Sequence, residues 1–364
     1  MTNLYPMLIA PRYDERIWGG HNLADRLGKS APHDRPIGES WEVYDQNTVA
    51  NGAYAGKTIA TLRAELGRDL MGGHLSPAAA FPVLTKLIDA TDVLSVQVHP
   101  DDYFAQKLEG QPNGKTECWY IIDAAPGATL TYGFARDSDP DEYTRLVAEG
   151  SLEQILREIP VKPGDVVYLP AGMVHAIGAG IILYEVQQTS DVTYRIYDWN
   201  RRDDHGQPRE LHVEKARQVL DYRRNTRGTV STLSKPGSGR TVLVAGRYFC
   251  NELIEAGTAG ELSTYDSPVA VCALDQPLAA TVRDGEGPVT LERYSSLVIP
   301  AAARAYTLAP LSDGATACAI VTYVPASPED LRADLRHRGF GDAEIEAFLE
   351  QFAPLHDLGQ PARH

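Results

Sequence analysis

The feature that most constrains the fold is a series of short β-branched and aromatic runs, each closed by Gly, Pro, Asn or Asp. Runs of this length and composition are typical of strands, and the residues between them are typical of turns. The runs that predict strands are Ser40–Tyr44, Val93–His99, Thr116–Ile122, Ala128–Tyr132, Asp165–Leu169, Ile181–Gln187 and Thr193–Tyr197. The pattern therefore predicts a mainly β protein with some helices inserted between strands.

Helical patterns are fewer, and they are Ile59–Leu66, Asp139–Glu149, Leu152–Ile159 and Val213–Leu220. A stretch rich in Ser, Gly and Pro at Thr229–Arg240 predicts a linker, after which strand-like runs resume. Beyond Ser327, a plausible helix cap followed by Pro328, apolar residues recur at helical spacing. We therefore predict a first β domain over residues 1–230, a second over 240–325 and a short helical tail over 326–364.

The charge balance argues against some partners. The 364 residues include 49 acidic and 34 basic ones, a formal net charge of −15, and there is no basic run to follow a nucleic-acid backbone. A few Arg or Lys side chains can still hold one phosphate in such a protein. The four cysteines are scattered, and no signal peptide or membrane-length apolar run is present. We expect a cytoplasmic protein that binds neither nucleic acid nor membrane; the sequence leaves its oligomeric state open.

The most informative stretch is LSVQVHPDD, at Leu94–Asp102. Side chains alternate between the two faces of a strand. The apolar face would carry Leu94, Val96 and Val98, and the polar face would carry Ser95, Gln97 and His99. A polar face of this kind usually lines a site, although an edge strand with one solvated face would show the same pattern.

A second stretch, GKTECWYIID, places Lys115, Glu117 and Trp119 on one face of a strand. Lys and Glu separated by one residue could form a surface ion pair, which would contribute little stability. The apolar neighbours indicate burial instead, and a buried carboxylate requires a partner or a metal ion.

A third stretch, VKPGDVVYLPAGMVHAIGAG, resembles the second cupin motif, in which a Pro-Ala-Gly turn starts a strand whose histidine, here His175, faces a barrel interior. A weak internal repeat lays Lys162–Ile177 over Glu292–Leu308 and places His175 opposite Ala305. The second copy would therefore be a degenerate cupin-like β domain without metal ligands. Two unrelated hairpins that share a proline would give the same alignment.

Two histidines, a carboxylate and an amide, namely Gln97, His99, Glu117 and His175, form a set that borderline divalent metals accept. Their wide spacing suits a catalytic site with open coordination positions, but it does not choose zinc over iron, manganese or cobalt. In YEVQQTSDVTYRIYDWNR, an extended chain would bring Asp191 and Arg195 to one face. That pair could be a structural ion pair, or Arg195 could be an oxyanion clamp beside the metal set.

Taken together, these stretches resemble the type I mannose-6-phosphate isomerases in their shorter bacterial form. The resemblance rests on the stretches quoted above together with IGESWEV, FPVLTKLIDA and QQTSDVTYRIYDWNR, and it runs from about Trp18 to about Leu220. It implies a cupin-type β-barrel (jelly roll) with inserted helices, one Zn²⁺ per chain and a small sugar-phosphate substrate.

The resemblance also implies roles for individual residues. The zinc ligands would be Gln97, His99, Glu117 and His175; the phosphate-binding residues would be Ser95, Lys86, Arg195 and Arg201; and proton transfer would involve Lys115 and Asp191. The implied reaction interconverts mannose 6-phosphate and fructose 6-phosphate through an enediolate, which a divalent metal can stabilise. Which residue is the base stays open.

Two other functions are compatible with the same residues. Cupin dioxygenases hold Fe(II) with two histidines and one carboxylate, and oxygen dependence would distinguish them. Other cupins bind sugars without catalysis, so a non-catalytic binding module is the second alternative.

Overall fold

A computed structural model describes residues 4–202, 206–283, 285, 287–312 and 315–355. In this part of the chain the protein is mainly β, as predicted, and none of its helices is long and apolar enough to cross a membrane. The strands are β1 (Met7–Ile9), β2 (Arg12–Gly20), β3 (Ile37–Val43), β4 (Val83–Ala90), β5 (Val96–Val98), β6 (Glu117–Ala124), β7 (Thr129–Phe134), β8 (Leu156–Pro160), β9 (Val166–Leu169), β10 (His175–Ile177), β11 (Ile181–Gln188), β12 (Tyr194–Tyr197), β13 (Leu233–Ser234), β14 (Arg240–Ala245), β15 (Cys250–Glu255), β16 (Glu261–Ser263), β17 (Val269–Ala273), β18 (Leu278–Val282), β19 (Val289–Leu291), β20 (Ser296–Ile299), β21 (Ala305–Pro310) and β22 (Cys318–Tyr323).

The helices are short and lie mostly between strands. They are α1 (Asn22–Asp25), α2 (Ile59–Leu66), α3 (Arg68–Met71), α4 (Asp102–Glu109), α5 (Pro140–Ala148), α6 (Val213–Val219), α7 (Pro328–His337) and α8 (Asp342–Leu349). Asp139 caps α5 and Ser327 caps α7, in each case with a proline at the first helical position. That position tolerates proline because its N–H has no partner inside the helix.

In the described part of the chain, the strands form four antiparallel sheets. In the N-terminal half, a six-stranded sheet has the order β2-β3-β4-β11-β6-β9 and a five-stranded sheet has the order β12-β5-β10-β7-β8. In the C-terminal half, the orders are β1-β20-β17-β22-β15-β14-β13 and β16-β21-β18-β19. Strand β1 pairs with β20, from Met7 opposite Val298 to Ile9 opposite Ser296, so the start of the chain joins the C-terminal sheet.

The largest hydrophobic core lies between the two halves. One face of the six-stranded sheet contributes Cys118, Tyr184 and Val186, and the seven-stranded sheet contributes residues such as Val271 and Ile320. Alternation along β6 sends the neighbours of Cys118 to the opposite face. There Trp119 packs in a second core with residues of the five-stranded sheet, including Leu130 and Ile177. The inner strands β4 and β11 of the six-stranded sheet are thus buried on both faces.

Several local predictions are confirmed and others are wrong in detail. The tail predicted to be helical contains α7 and α8, while its residues 356–364 lie outside the described part. The helix predicted over Leu152–Ile159 is wrong, because Leu152–Ile155 is a 3₁₀ turn and strand β8 follows it. The predicted linker contains β13, which pairs with β14.

The internal repeat has a structural counterpart. Strand β9 lies in the six-stranded sheet and β10 in the five-stranded one; β20 and β21 also lie in two different sheets. His175 and Ala305 are each the first residue of the second strand of the pair, as the alignment predicted. All four cysteines are free thiols; three are buried, and Cys318 is partly exposed.

Candidate metal centre

Strand β5 places Gln97 between two other site residues. Gln97 is the direct cross-strand neighbour of His175 on β10 and of Arg195 on β12. Directly opposed residues on antiparallel strands share a face of the sheet. The pairing therefore brings together three side chains that are separated by as many as 98 positions in the sequence. Val96 and Val98 point the other way into a third core, as predicted, whereas Leu94 precedes the strand and joins the second core.

Strand β6 supplies Glu117 from the other sheet of the N-terminal half. Its Oε1 lies 3.4 Å from His99 Nε2, and its Oε2 lies 3.5 Å from His175 Nε2. One ligand atom from each of these three buried residues lies within 4.8 Å of the others. The predicted cluster of His99, Glu117 and His175 therefore converges in space.

Hydrogen bonds orient both imidazoles for ligation. His99 Nδ1 donates to the carbonyl of Val192 at 2.9 Å, and His175 Nδ1 donates to that of Met173 at 2.8 Å. With Nδ1 protonated, each Nε2 keeps its lone pair, and each lies within 3.5 Å of a Glu117 oxygen. Burial lowers the pKa of both rings, and nearby Lys115 lowers that of His99 further. Both rings are therefore neutral, which is the form that binds metals.

Glu117 is fully buried, and its Oε2 makes no hydrogen bond to any residue in the described part of the chain. Its Oε1 forms an ion pair with the Lys115 ammonium group, which also lies 3.2 Å from His99 Nε2. The ligand atoms thus already accommodate one positive charge. Burial alone would raise the pKa of Glu117, but the Lys115 ammonium group lowers it overall. Two neutral imidazoles and an incompletely paired carboxylate fit a divalent cation.

Gln97 lies at the edge of this cluster. Its amide nitrogen is 3.3 Å from His175 Nε2. The two ends of a glutamine amide differ only by a 180° rotation of the group, and that rotation would bring Oε1 to the same position. The residue is partly exposed, so it can also meet a ligand that enters from solvent.

A group of arginines lies near Gln97, beginning with its cross-strand neighbour Arg195. Arg195 Nε donates to Ser95 Oγ at 3.2 Å, so the structure brings these two predicted residues together. Arg201 donates to the Val93 carbonyl at 2.7 Å and is ion-paired with Asp198, which also lies 3.5 Å from Arg209. Burial lowers the pKa of Arg195, and Arg209 adds to this effect. An anion bound here would relieve the repulsion between these guanidinium groups.

Lys86 lies in a different set of contacts. Its ammonium group is 3.0 Å from Glu185 and 4.0 Å from Glu39, and it lies 5.0 Å from the centre of the Trp41 ring. Burial alone would lower the pKa of Lys86, but Glu185 and Glu39 raise it above its ordinary value. Among the described residues, no direct contact joins Lys86 to the Ser95–Arg195 pair.

The sequence analysis missed Glu185, Glu39, Asp198 and Arg209. Of these, Glu185 carried the clearest signal in the sequence, because it is the one acidic residue in IILYEVQQ, a strand buried along its whole length. A buried carboxylate in such a strand requires a cationic partner. The register places Lys86 directly opposite on β4, and Trp119 Nε1 donates to the second oxygen at 2.9 Å.

Asp191 precedes the strand that carries Arg195. Strand β12 begins at Tyr194, so Asp191 lies outside it, and the shared face of Asp191 and Arg195 stays a prediction. In the loop before β12, the carbonyl of Val192 accepts a hydrogen bond from His99. Asp191 is exposed and lines a cavity of about 220 Å³ together with Trp41 and Leu84. Through Trp41 this cavity adjoins Lys86.

Comparison with known proteins points to one family. Residues 7–121 match the model of the phosphomannose isomerase type I catalytic domain. The chain is 42% identical over 248 residues to a mannose-6-phosphate isomerase of Streptococcus mutans, which covers 67% of this chain and 77% of the relative. It is 44% identical over 220 residues to a mannose-6-phosphate isomerase of Bacillus subtilis, which covers 59% of this chain and 68% of the relative.

The fold agrees with these matches. The crystal structure of a mannose 6-phosphate isomerase from Bacillus subtilis superposes with a TM-score of 0.76 and 36% identity, covering 88% of this chain and 99% of that one. A second solved structure, from Archaeoglobus fulgidus, shares the fold at 20% identity with a TM-score of 0.70, covering 89% of this chain and 99% of that one. The chain has a buried cluster of two histidines and a glutamate, and its sequence and fold match these relatives; it belongs to the type I phosphomannose isomerase family.

Proposed function

We propose that the protein interconverts mannose 6-phosphate and fructose 6-phosphate by moving a proton between C1 and C2 through an enediolate. The observation that carries the proposal is the convergence of His99, Glu117 and His175 beside a buried lysine and an arginine clamp, in a chain of this family. The relatives that match over most of their length are mannose-6-phosphate isomerases.

The metal would be one Zn²⁺ held by His99, Glu117 and His175, with Gln97 as a fourth ligand after rotation of its amide. Zinc accepts imidazole nitrogen and carboxylate oxygen in catalytic sites of this composition. When bound, it would supply a Lewis acid for the negative charge that develops on the two sugar oxygens. The chain's own contribution is to hold both imidazoles neutral and aimed at one point.

The phosphate group of the substrate would bind to Ser95 and Arg195, with Arg201 supporting the clamp from its place beside Asp198. Arg195 is anchored by Ser95 Oγ and by the Glu210 carbonyl, to which it donates at 3.0 Å. These contacts leave its guanidinium with further donors for an anion. Lys86, held by Glu185 and Glu39, would bind substrate from the opposite sheet.

Proton transfer would involve Lys115 and Asp191. Lys115 is buried and touches both His99 and Glu117, so its amine lies next to the centre where the charge develops. Asp191 is exposed and lines the cavity near Lys86, a position suited to protons that exchange with solvent. This difference in burial favours Lys115 as the group that acts at carbon.

We also infer that the N-terminal sheets form a cupin-type barrel. Support comes from the second hydrophobic core, which takes residues from both sheets, and from site residues that both sheets direct to one interior. In this interpretation the domains are residues 1–230, 240–325 and a tail from 326, with β1 exchanged onto the second domain. Four free thiols agree with a cytoplasmic location.

A coupled assay tests the proposed reaction. Purified protein should convert mannose 6-phosphate to fructose 6-phosphate, lose activity when dialysed against a chelator and regain it when Zn²⁺ is added. Fe(II) with oxygen consumption in place of isomerisation would identify a dioxygenase instead. A metal-loaded protein that turns over no hexose phosphate and consumes no oxygen would contradict the proposal and favour a binding role.

A further inference from the structure

A chain of hydrogen bonds crosses from the C-terminal half to the metal centre. It starts at Tyr248, in the turn between β14 and β15. The Tyr248 hydroxyl donates to Oδ2 of Asp102, the first residue of α4, at 2.8 Å. These two residues are 146 positions apart, so only the packing of the two halves brings them together.

Asp102 then connects to the segment that carries two of the proposed site residues. Its Oδ1 accepts a hydrogen bond from the backbone of Gly114 at 2.8 Å and another from Gln188 Nε2 at 2.9 Å. The carboxylate therefore has three donors, and Tyr248 supplies the one from the C-terminal half. A carboxylate with this many donors is held in one orientation.

Gln188 completes the chain. Its Oε1 accepts from the backbone N–H of Thr116 at 2.9 Å, and its own N–H donates to the Thr116 carbonyl at 3.1 Å. Thr116 lies between Lys115 and Glu117. The backbone N–H and C=O of Thr116 are thus both hydrogen-bonded to Gln188, one to its side chain and the other to its backbone. The Gln188 side chain is in turn held by Asp102.

We propose that Tyr248 is a positioning residue, which acts through Asp102 and Gln188 to hold Lys115 and Glu117 in the geometry that catalysis requires. The C-terminal half, which contributes no proposed ligand or substrate contact, would then affect turnover through Tyr248. The proposal rests on the proposed isomerase function. A misplacement of about 1 Å in a reacting group can cost on the order of a hundredfold in rate.

The surroundings of this hydrogen-bond chain indicate that loss of the Tyr248 hydroxyl would disturb the position of the site residues more than the folding of the protein. Asp102, Gln188 and Tyr248 line a cavity of about 280 Å³ together with the exposed Arg247. Water can enter such a cavity and replace the phenol as a donor, but water is not attached to the C-terminal half. Tyr248→Phe should therefore remain folded and lose the fixed link.

The test compares Tyr248→Phe with Tyr265→Phe. Tyr265 also lies in the C-terminal half and also donates its hydroxyl to a carboxylate, that of Asp334, at 3.1 Å. In zinc-loaded protein, Tyr248→Phe should lower kcat roughly tenfold, while KM and zinc content stay within about twofold of the parent, because the Ser95–Arg195 clamp is not on this segment. Tyr265→Phe should keep the parental kcat.

A second variant makes the test independent of one substitution. Gln188→Leu breaks the same chain of hydrogen bonds at its last link and should give the same fall in kcat. It therefore tests the proposal even if Tyr248→Phe does not fold. Tyr248→Phe combined with Gln188→Leu should be no slower than the slower single variant, since both remove one connection. A parental kcat in Tyr248→Phe, a loss shared by Tyr265→Phe, or multiplicative losses in the double variant would each overturn the proposal.

Amide hydrogen exchange separates this proposal from the proposed function. Tyr248→Phe should speed exchange of the Gly114 and Thr116 amides, and Tyr265→Phe should leave it unchanged. If the parent protein does not isomerise mannose 6-phosphate, the proposed function fails, and faster exchange in Tyr248→Phe would still establish the link. Unchanged exchange would refute the link whatever the activity.

Discussion

Two fully buried carboxylates, Glu117 in the N-terminal half and Glu252 in the C-terminal half, have opposite surroundings. Glu252 accepts from Arg240 through both oxygens, at 2.8 and 3.0 Å. Arg338 and the Tyr323 hydroxyl each donate to its Oε1 at 3.1 Å. Glu117 has one lysine at Oε1 and two neutral imidazoles facing it.

The difference separates a structural ion cluster from a binding site. Burial alone would raise the pKa of Glu252, but Arg240 and Arg338 lower it, so its charge is compensated within the chain. Around Glu117 the lone pairs outnumber the donors, and a further cation improves the balance. Burial of a carboxylate therefore does not identify a site; the incomplete set of partners does.

The largest expected effect comes from removing a ligand on the Glu117 side. His175→Ala should abolish zinc binding and lower kcat/KM by roughly a thousandfold or more, since a metal supplies several kcal/mol of transition-state stabilisation. His99→Ala should behave in the same way. Metal analysis together with the coupled assay checks both results, and retained zinc with turnover in either variant would refute the ligand assignment.

A smaller effect is expected at the anion clamp. Arg195→Ala should lower kcat/KM for mannose 6-phosphate roughly 10- to 100-fold, because a hydrogen bond to a charged group contributes about 1.5–3 kcal/mol. Zinc content and thermal stability should stay close to those of the parent protein. The exposed Arg136, paired with Glu142, provides the control, and Arg136→Ala should be neutral. If the Arg195 variant were as active as the parent protein at low concentrations of mannose 6-phosphate, that result would count against the clamp.

On the Glu252 side the expected effect is on stability. Glu252→Gln should lower the free energy of unfolding by about 3–5 kcal/mol, because it leaves two arginines without their buried counter-charge. Isomerase activity of the folded fraction should persist. Glu142→Gln, at a solvent-accessible pair, should lower the free energy of unfolding far less. Urea unfolding measures both, and equal losses would erase the distinction between the two carboxylates.

Much of the site around Glu117 could be predicted from the sequence, because the patterns that mark its residues lie within single strands and turns. Alternation along β5 and β6 sorts ligands from core residues, and the Pro-Ala-Gly turn marks His175. Glu185 and Asp198 were missed because their partners lie on other strands, and cross-strand register follows from global packing. The same reason explains Tyr248, whose acceptor Asp102 is 146 residues away. Asp191 lies in the loop before β12, and strand boundaries of this kind are the part of a fold that sequence patterns mark least well.

The smallest expected effect is a pH dependence. It concerns the difference in the free energy of unfolding between the parent protein and Glu252→Gln, called the gap below. The pKa of Glu252 is lowered in the folded protein from its ordinary value of 4.5. Its contribution to stability is therefore fully present above that value and is lost as the pH falls through the folded-state pKa. Urea unfolding at pH 7 and pH 5 should give nearly the same gap, and more acidic buffers should narrow it. A gap that stays constant under acid would mean that Glu252 stabilises the fold through its shape and not its charge, and the contrast with Glu117 would then rest on geometry alone.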